Sequence, residues 1–208
     1  MPPPAFRLLL VTDRKLARRP LPELVETALA SAAPGLIAVQ LREKDLEARA
    51  LAELARALVP VCRARGAPLL VNDRLDVALA VGAGGVHLPQ ASFKADDARR
   101  LLGPDKLVGV SCHSIEEVRD AKGCGAGYAT FGPVFDTPSK RRFGPPVGLE
   151  RLREAARLSL PLYGLGGVGV DNAGEVLEGG AAGVAAIGAW VGSSAEALPG
   201  VVRALLGT

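Results

Sequence analysis

The stretch Val108-Gly109-Val110-Ser111-Cys112-His113-Ser114 brings together the side chains of this sequence best suited to chemistry. An apolar run, Leu107–Val110, stops abruptly at small polar residues and one imidazole. His113 is one of only two histidines in the chain, and imidazole is the side chain that most readily accepts and returns a proton near neutral pH. Ser114 can cap a helix starting at Ile115, with Glu117 completing a capping box. That would leave Ser111 and His113 to face a site. The other reading is a strand end with a structural, hydrogen-bonded histidine, and this stretch alone does not separate the two.

Further polar residues follow other apolar runs. Gln40, Arg42 and Lys44 alternate, so their side chains leave an extended strand on one side. A guanidinium fork beside an ammonium suits a diphosphate or a carboxylate, and Lys140 would join them. The alternative is a solvated strand end paired to Glu43 and Asp45. Asn72 and Asp73 follow a third run. Asp73 is a candidate Mg²⁺ ligand, but one carboxylate makes a poor metal site by itself. It serves equally well as a cap for the helix beginning at Arg74. Thr137, Ser139 and Lys140 lie in a long loop, 132–147. Gly166-Gly167 and Gly188 leave backbone N–H groups uncovered near a short helix at Ala189–Val191, an arrangement that binds phosphate. His87 sits within an apolar run and reads as a packed residue. Cys112 reads as a small packing residue, since no second nucleophile signature accompanies it.

These residues need a frame that brings strand ends together. The apolar runs Phe6–Val11, Leu36–Leu41, Pro68–Val71, Gly85–Leu88, Leu107–Val110, Tyr128–Phe131, Leu162–Leu165 and Gly183–Ile187 read as strands buried on both faces. Helical patterns follow each, including Leu21–Ala33, Leu46–Ala64, Asp76–Val81, Ala95–Leu102, Ile115–Cys124, Leu149–Leu158, Asn172–Leu177 and the closing Val201–Leu206. Doubly buried strands alternating with helices imply a parallel sheet. Eight such units predict an α/β fold, a single (β/α)8 TIM barrel over residues 1–208, with all the polar strand ends on one face. A doubly wound open sheet is disfavoured because no G-x-G-x-x-G follows the first strand.

Composition limits the function classes. At 208 residues with 49% hydrophobic content the chain can bury one good core. The net charge of +3 is spread along the chain with no basic run, so no nucleic-acid partner is expected. No apolar run reaches membrane-spanning length, and Met1-Pro2-Pro3-Pro4 does not open a signal peptide. Three cysteines without metal-ligand spacing, Cys62, Cys112 and Cys124, suggest reduced thiols and a cytoplasmic setting. Assembly into a homo-oligomer stays open.

The motifs together resemble the thiamine phosphate synthase and thiazole tautomerase (TenI) superfamily. The matching stretches are Val11-Thr12-Asp13, Gln40-Leu41-Arg42-Glu43-Lys44, Asn72-Asp73-Arg74, Gly85-Val86-His87-Leu88 and Gly109-Val110-Ser111-Cys112-His113-Ser114. Gly132-Pro133-Val134-Phe135-Asp136-Thr137-Pro138-Ser139-Lys140 and Gly164-Leu165-Gly166-Gly167-Val168 complete the set, in family order. The resemblance implies a thiazole phosphate substrate anchored at Gly166, Gly167 and Gly188. In the synthase branch it implies that Gln40, Arg42, Lys44, Asn72, Ser111 and Lys140 hold a pyrimidine diphosphate, with Asp73 a magnesium ligand. That branch carries a second aspartate in a Gly-Gln-Glu-Asp pattern after the fourth strand; this chain has Pro89-Gln90-Ala91-Ser92.

A serine hydroxyl is a weak ligand for a hard cation. The Ser92 departure and His113 therefore place the chain closer to the TenI branch. The expected activity is a thiazole tautomerase, an isomerase that needs no cofactor. His113 would be the catalytic residue moving a proton on a thiazole carboxylate phosphate. The alternative is thiamine phosphate synthase, a transferase that uses Mg²⁺. A second alternative is a non-catalytic barrel that binds a thiamine-pathway ligand and regulates a partner.

Overall fold

The computed structural model describes residues 4–137, 141 and 144–208. Eight strands close into a parallel barrel in sequence order. They are β1 (Leu8–Val11), β2 (Ile37–Leu41), β3 (Leu69–Asn72), β4 (Gly85–Leu88), β5 (Leu107–Cys112), β6 (Tyr128–Phe131), β7 (Leu162–Gly164) and β8 (Gly183–Ala186). Outside them lie α1 (Leu21–Ala30), α2 (Ala48–Ala64), α3 (Leu75–Val81), α4 (Ala95–Leu102), α5 (Ile115–Gly123), α6 (Gly148–Ala156), α7 (Ala173–Glu178), α8 (Gly188–Val191) and α9 (Leu198–Leu206). The expected (β/α)8 barrel is therefore present. Among the described residues no helix is long and apolar enough to cross a membrane.

The helices form because each presents one apolar face to the sheet. Leu51, Ala52, Ala55, Leu58 and Cys62 of α2 are buried at helical spacing, the pattern of a helix lying on a core. Pro22 sits in the first turn of α1, where its missing N–H has no helical partner to lose. Gly82 ends α3 in the left-handed conformation, φ +66°, at the position where glycine terminates many helices.

Alternation along the strands divides the buried residues into two cores. The outward core joins strands to helices and includes Leu8, Leu10, Val39, Leu41, Val86 and Leu88. The inner core contains Phe6, Leu9, Val11, Ala38, Leu70, Tyr128, Tyr163 and Ala185. Three of its rings fill the end of the barrel away from the strand tips. Phe6 stacks on Tyr163 at 4.7 Å, and Tyr128 meets each edge-on at 5.5 and 5.4 Å. Glycine makes this filling fit: a Cβ at Gly109 would land on the Tyr128 ring.

Strand β5 runs to Cys112, two residues past the expected end, because Ser111 and Cys112 pair with Thr130 and Phe131 of β6. Ser111 is thus still a strand residue, and the alternation turns it inward and Cys112 outward.

Candidate active site

The tips of the strands surround one mouth made of three adjoining lobes. A lobe of about 350 Å³ is lined by Lys44, Asn72, Asp73, Arg74 and Pro89. The central lobe, about 130 Å³, is lined by Arg42, Lys44, Ser111, His113, Thr130 and Gly166 among others. A third, about 270 Å³, is lined by Thr137, Gly166, Gly167, Ile187 and Gly188. Lys44 and Pro89 are common to the first two lobes; Leu165 and Gly166 are common to the last two. The mouth therefore has a cationic side and a glycine side.

The cationic side is kept cationic by its neighbours. Glu43 is buried and accepts from Thr12 Oγ1 at 2.7 Å and from the Arg14 backbone N at 3.1 Å. Arg14 also forms a fork with Asp45 at 2.7 and 2.9 Å, and this pairing holds the Asp45 carboxyl below the usual range. The Thr12 hydroxyl in turn accepts from the Arg42 backbone N at 2.9 Å. The carboxylates that flank Arg42 in sequence are thus taken by Arg14. Among the described residues no carboxylate pairs with the Arg42 guanidinium. Burying or crowding a cation away from a counter-charge is unfavourable unless an anion joins it. Arg42, with Lys44 lining the same lobe, is therefore a candidate place for one.

Gln40 does not reach the opening. It is buried under the mouth and its Nε2 donates to Asn72 Oδ1 at 3.0 Å. Its role in the structure is to orient Asn72, which lines the first lobe. Asp73 adopts φ +65°, a conformation aspartate tolerates better than most residues. Its backbone N donates to the His87 carbonyl at 2.9 Å. Ser92 Oγ donates to Asp73 Oδ1 in a short hydrogen bond. Among the described residues no group of three His, Cys, Asp or Glu could enclose a metal ion. Mg²⁺, however, is commonly held by one or two carboxylates together with substrate phosphate oxygens. Asp73, steadied by Ser92, fits a cation that arrives with a diphosphate.

On the glycine side the backbone decides. Gly166 and Gly167 have φ of +93° and +68°. A Cβ on Gly166 would press on Pro133 Cα and Cβ, and one on Gly167 on Phe135 Cβ and Asp136 O. Gly188 opens α8 with neither constraint: its φ is unremarkable and a Cβ there would meet nothing within 4 Å. Thr137 stands on this side rather than with the cations. Lys140 and Ser139 lie outside the described residues.

His113 is exposed at the rim of the central lobe. Its Nδ1 donates to the Gly132 carbonyl in a short hydrogen bond, which leaves Nε2 as the nitrogen able to meet a ligand. Its backbone N donates to Glu117 Oε2 at 2.6 Å. Ser114 caps α5 by accepting from Glu117 N at 3.2 Å, as the sequence predicts. The Glu117 carboxylate binds His113 N rather than closing the box on Ser114, and also accepts from Gln90 Nε2 at 2.7 Å. Cys112 is buried on the helix side of β5, and burial pushes its thiol up to about 12. A thiol that resists ionisation is a poor nucleophile.

His87 is packed, as expected. Its Nδ1 meets Tyr128 OH at 2.9 Å and its Nε2 meets Ser111 Oγ at 2.9 Å. Burial, with the nearby Arg42 charge, holds the imidazole down to about 3. Thr130, Tyr128 and Gln90 were not singled out by the sequence reading. The first two were legible in principle, since Tyr128 and Thr130 are two apart on β6 and share the inward face.

A larger concavity, about 470 Å³, lies outside the barrel wall beside α5 and is lined by Phe93, Val110, Cys112, Ala121 and Cys124 among others. It touches the mouth at Pro89, Gln90, Ser111 and Cys112 but contains neither Arg42 nor any of the strand-tip glycines. Converging polar groups, not size, mark the candidate site.

Comparison with known proteins separates the two branches. Residues 8–190 match the family described as thiamine monophosphate synthase. Thiamine-phosphate synthase of Roseiflexus castenholzii is 48% identical over 185 residues, covering 88% of this chain and 80% of that protein. The thiamine-phosphate synthase of Moorella thermoacetica is 47% identical over 193 residues, covering 92% and 90%. The structure of thiamine phosphate pyrophosphorylase from Pyrococcus furiosus superposes with a TM-score of 0.85 at 34% identity, covering 97% of this chain and 94% of that one.

The expected thiazole tautomerase, with its isomerase chemistry and its TenI placement, is overturned by these likenesses, which point to the transferase branch. The tautomerase expectation rested on Ser92 as a lost ligand and His113 as a proton-transfer residue. One carboxylate suffices for a cation shared with phosphate oxygens, and a rim histidine is not by itself a proton relay. The chain belongs to the thiamine monophosphate synthase family.

Proposed function

As the chain belongs to that family, we propose that it is a thiamine-phosphate synthase. It joins a pyrimidine carried as its diphosphate to a thiazole phosphate and releases diphosphate. The observation that carries this reading is the pairing of two anion sites across one mouth, cations on one side and open backbone on the other. A reaction between two phosphorylated substrates needs both. The synthase names of relatives near 48% identity support it.

Arg42 and Lys44 bind the diphosphate oxygens, and Asn72, held by Gln40, adds a neutral contact beside them. Asp73, steadied by Ser92, would hold Mg²⁺ beside the diphosphate site. When bound, the ion neutralises charge that would otherwise build up on the departing diphosphate. Gly166, Gly167 and Gly188 hold the thiazole phosphate with backbone N–H groups, next to Thr137. Holding both substrates in one mouth turns a two-body encounter into a local one. A C–O bond to diphosphate breaks and a C–N bond to the thiazole forms. No proton has to be carried between ring atoms, so His113 is required here only as a wall that contacts substrate. The three free cysteines support a reducing, cytoplasmic setting.

The test is direct. Purified protein given both substrates and Mg²⁺ should form thiamine phosphate and diphosphate in equal amounts. Protein that forms neither, under conditions where another synthase is active, refutes the proposal.

A further inference from the structure

One hydrogen-bonded chain runs from the floor of the barrel to the mouth, and the function described above leaves it unused. Tyr128 OH lies fully buried among Phe6 and Tyr163. Among the described residues its one partner is His87 Nδ1, at 2.9 Å. The neighbouring Tyr163 hydroxyl donates elsewhere, to the Phe6 carbonyl at 2.7 Å. On the far side of the imidazole, Nε2 stands 2.9 Å from Ser111 Oγ and 3.4 Å from Thr130 Oγ1. Ser111 and Thr130 line the central lobe with Arg42 and Lys44.

We infer that Tyr128 and His87 act as positioning residues that fix Ser111 as a hydrogen-bond donor toward the bound substrate.

The polarity follows from counting protons. A phenol has one proton to give, and buried donors in folded proteins are nearly always paired. Among the described residues Tyr128 can give its proton only to His87 Nδ1, so that nitrogen is the acceptor. A neutral imidazole has one N–H, which then sits on Nε2 and points at Ser111 Oγ. The serine oxygen accepts it, and the serine proton is directed into the mouth. The opposite tautomer would strand the Tyr128 proton in an apolar interior and draw the Ser111 proton inward, presenting only lone pairs to substrate. Burial and the Arg42 charge both disfavour a cationic His87, so the doubly protonated ring does not enter. A fixed donor beside two cations selects a substrate atom with a lone pair, a phosphate oxygen or a ring nitrogen.

This inference rests on the synthase reading for its functional readout, but its first test does not. The chain has two histidines, so nitrogen-15 labelling of histidine gives two ring systems, and His113→Asn assigns them. In the unliganded protein His87 should show a protonated Nε2 and an unprotonated Nδ1. His113, with Nδ1 donating to the Gly132 carbonyl, provides the opposite pattern as an internal reference. A protonated Nδ1 on His87 overturns the inference whether or not the protein is a synthase.

The second test is a double-mutant cycle in the synthase assay. Tyr128→Phe keeps the ring and removes the proton that sets the tautomer. It should lower kcat/KM about fivefold, the worth of one ordinary hydrogen bond, and relax the His87 tautomer preference. In a Ser111→Ala background the same change should cost almost nothing, because its effect runs through Ser111. Equal losses in both backgrounds would mean that Tyr128 acts only through packing and would defeat the proposal. Should Tyr128→Phe fail to fold, the ring spectrum of the parent still decides. Absence of synthase turnover with His87 protonated at Nε2 would remove the functional reading and leave the relay standing.

Discussion

Two glycines on the phosphate side of the mouth should respond oppositely to alanine, and the contrast tests whether that side is built for a ligand. Gly166 is required by the protein itself. Its φ of +93° is one that L-residues rarely adopt, and a Cβ would lie 2.5 and 2.6 Å from Pro133 Cβ and Cα. Forcing alanine into a disfavoured backbone region costs about 1–3 kcal/mol, and overpacking typically adds about 1–3 kcal/mol. Gly166→Ala should therefore destabilise by roughly 2–6 kcal/mol, taking the two together. At about 2–4 °C per kcal/mol for a chain of this size, thermal unfolding should drop by roughly 4–24 °C. Gly188 is different, since a Cβ there meets nothing within 4 Å. Gly188→Ala should leave stability unchanged or raise it by about 0.4–1 kcal/mol through the unfolded state. The added methyl would instead stand where the phosphate approaches the backbone. Losing one charge-assisted hydrogen bond costs about 1.5–3 kcal/mol, which is roughly tenfold to a hundredfold in affinity. The assays are scanning calorimetry and the KM for thiazole phosphate. A Gly188→Ala protein that binds thiazole phosphate like the parent, or that melts as low as Gly166→Ala, would refute the reasoning.

Three further outcomes are expected. Ser92→Asp should place a second carboxylate beside Asp73 and tighten Mn²⁺ binding severalfold, measured by electron paramagnetic resonance on protein with inorganic pyrophosphate; unchanged affinity would remove Asp73 as a metal ligand. Glu43→Ala strips the acceptor from Thr12 Oγ1 and Arg14 N in a buried setting and should cost about 2–4 kcal/mol in urea unfolding, while a fully stable variant would show that the β1–β2 tie is dispensable. Because His87 is neutral in the fold, with its pKa lowered to about 3 from 6.5, the unfolded state takes up protons first. Its contribution to stability is complete above about pH 6.5 and is lost as pH falls toward 3. Urea midpoints of the parent should therefore decline over that window more steeply than those of His87→Gln, and parallel slopes would contradict the assignment.

The sequence by itself determined the architecture. Eight apolar runs separated by helical patterns leave little choice but a closed parallel barrel, because a strand buried on both faces must be covered on both. It also marked which strand ends are polar or open. Arg42, Lys44, Asp73, Ser111 and the glycines were all legible as polar or open tips of such runs, and the structure brings their tips to one mouth. Ser114 was legible as a cap, since capping is a matter of neighbours along the chain.

Tertiary structure decided what each tip does. Gln40 alternates with Arg42 and Lys44 in sequence, yet it lies under the mouth holding Asn72, because barrel depth is set by register with β1 and β3. Glu43 and Asp45 look in sequence like partners for Arg42. Across the barrel seam they belong to Arg14, some thirty residues away, and this leaves Arg42 cationic toward the mouth. Ser92 reads as a missing ligand until it is seen donating to Asp73. His113 and His87 are both histidines at strand ends. Only the fold places the first on the rim and the second between Tyr128 and Ser111. The physical reason is common to all four cases. Local pattern is set by residues a few positions apart, whereas the partner that fixes a side chain's charge, tautomer or direction comes from a neighbouring strand. Which residues become neighbours is settled only when the barrel closes.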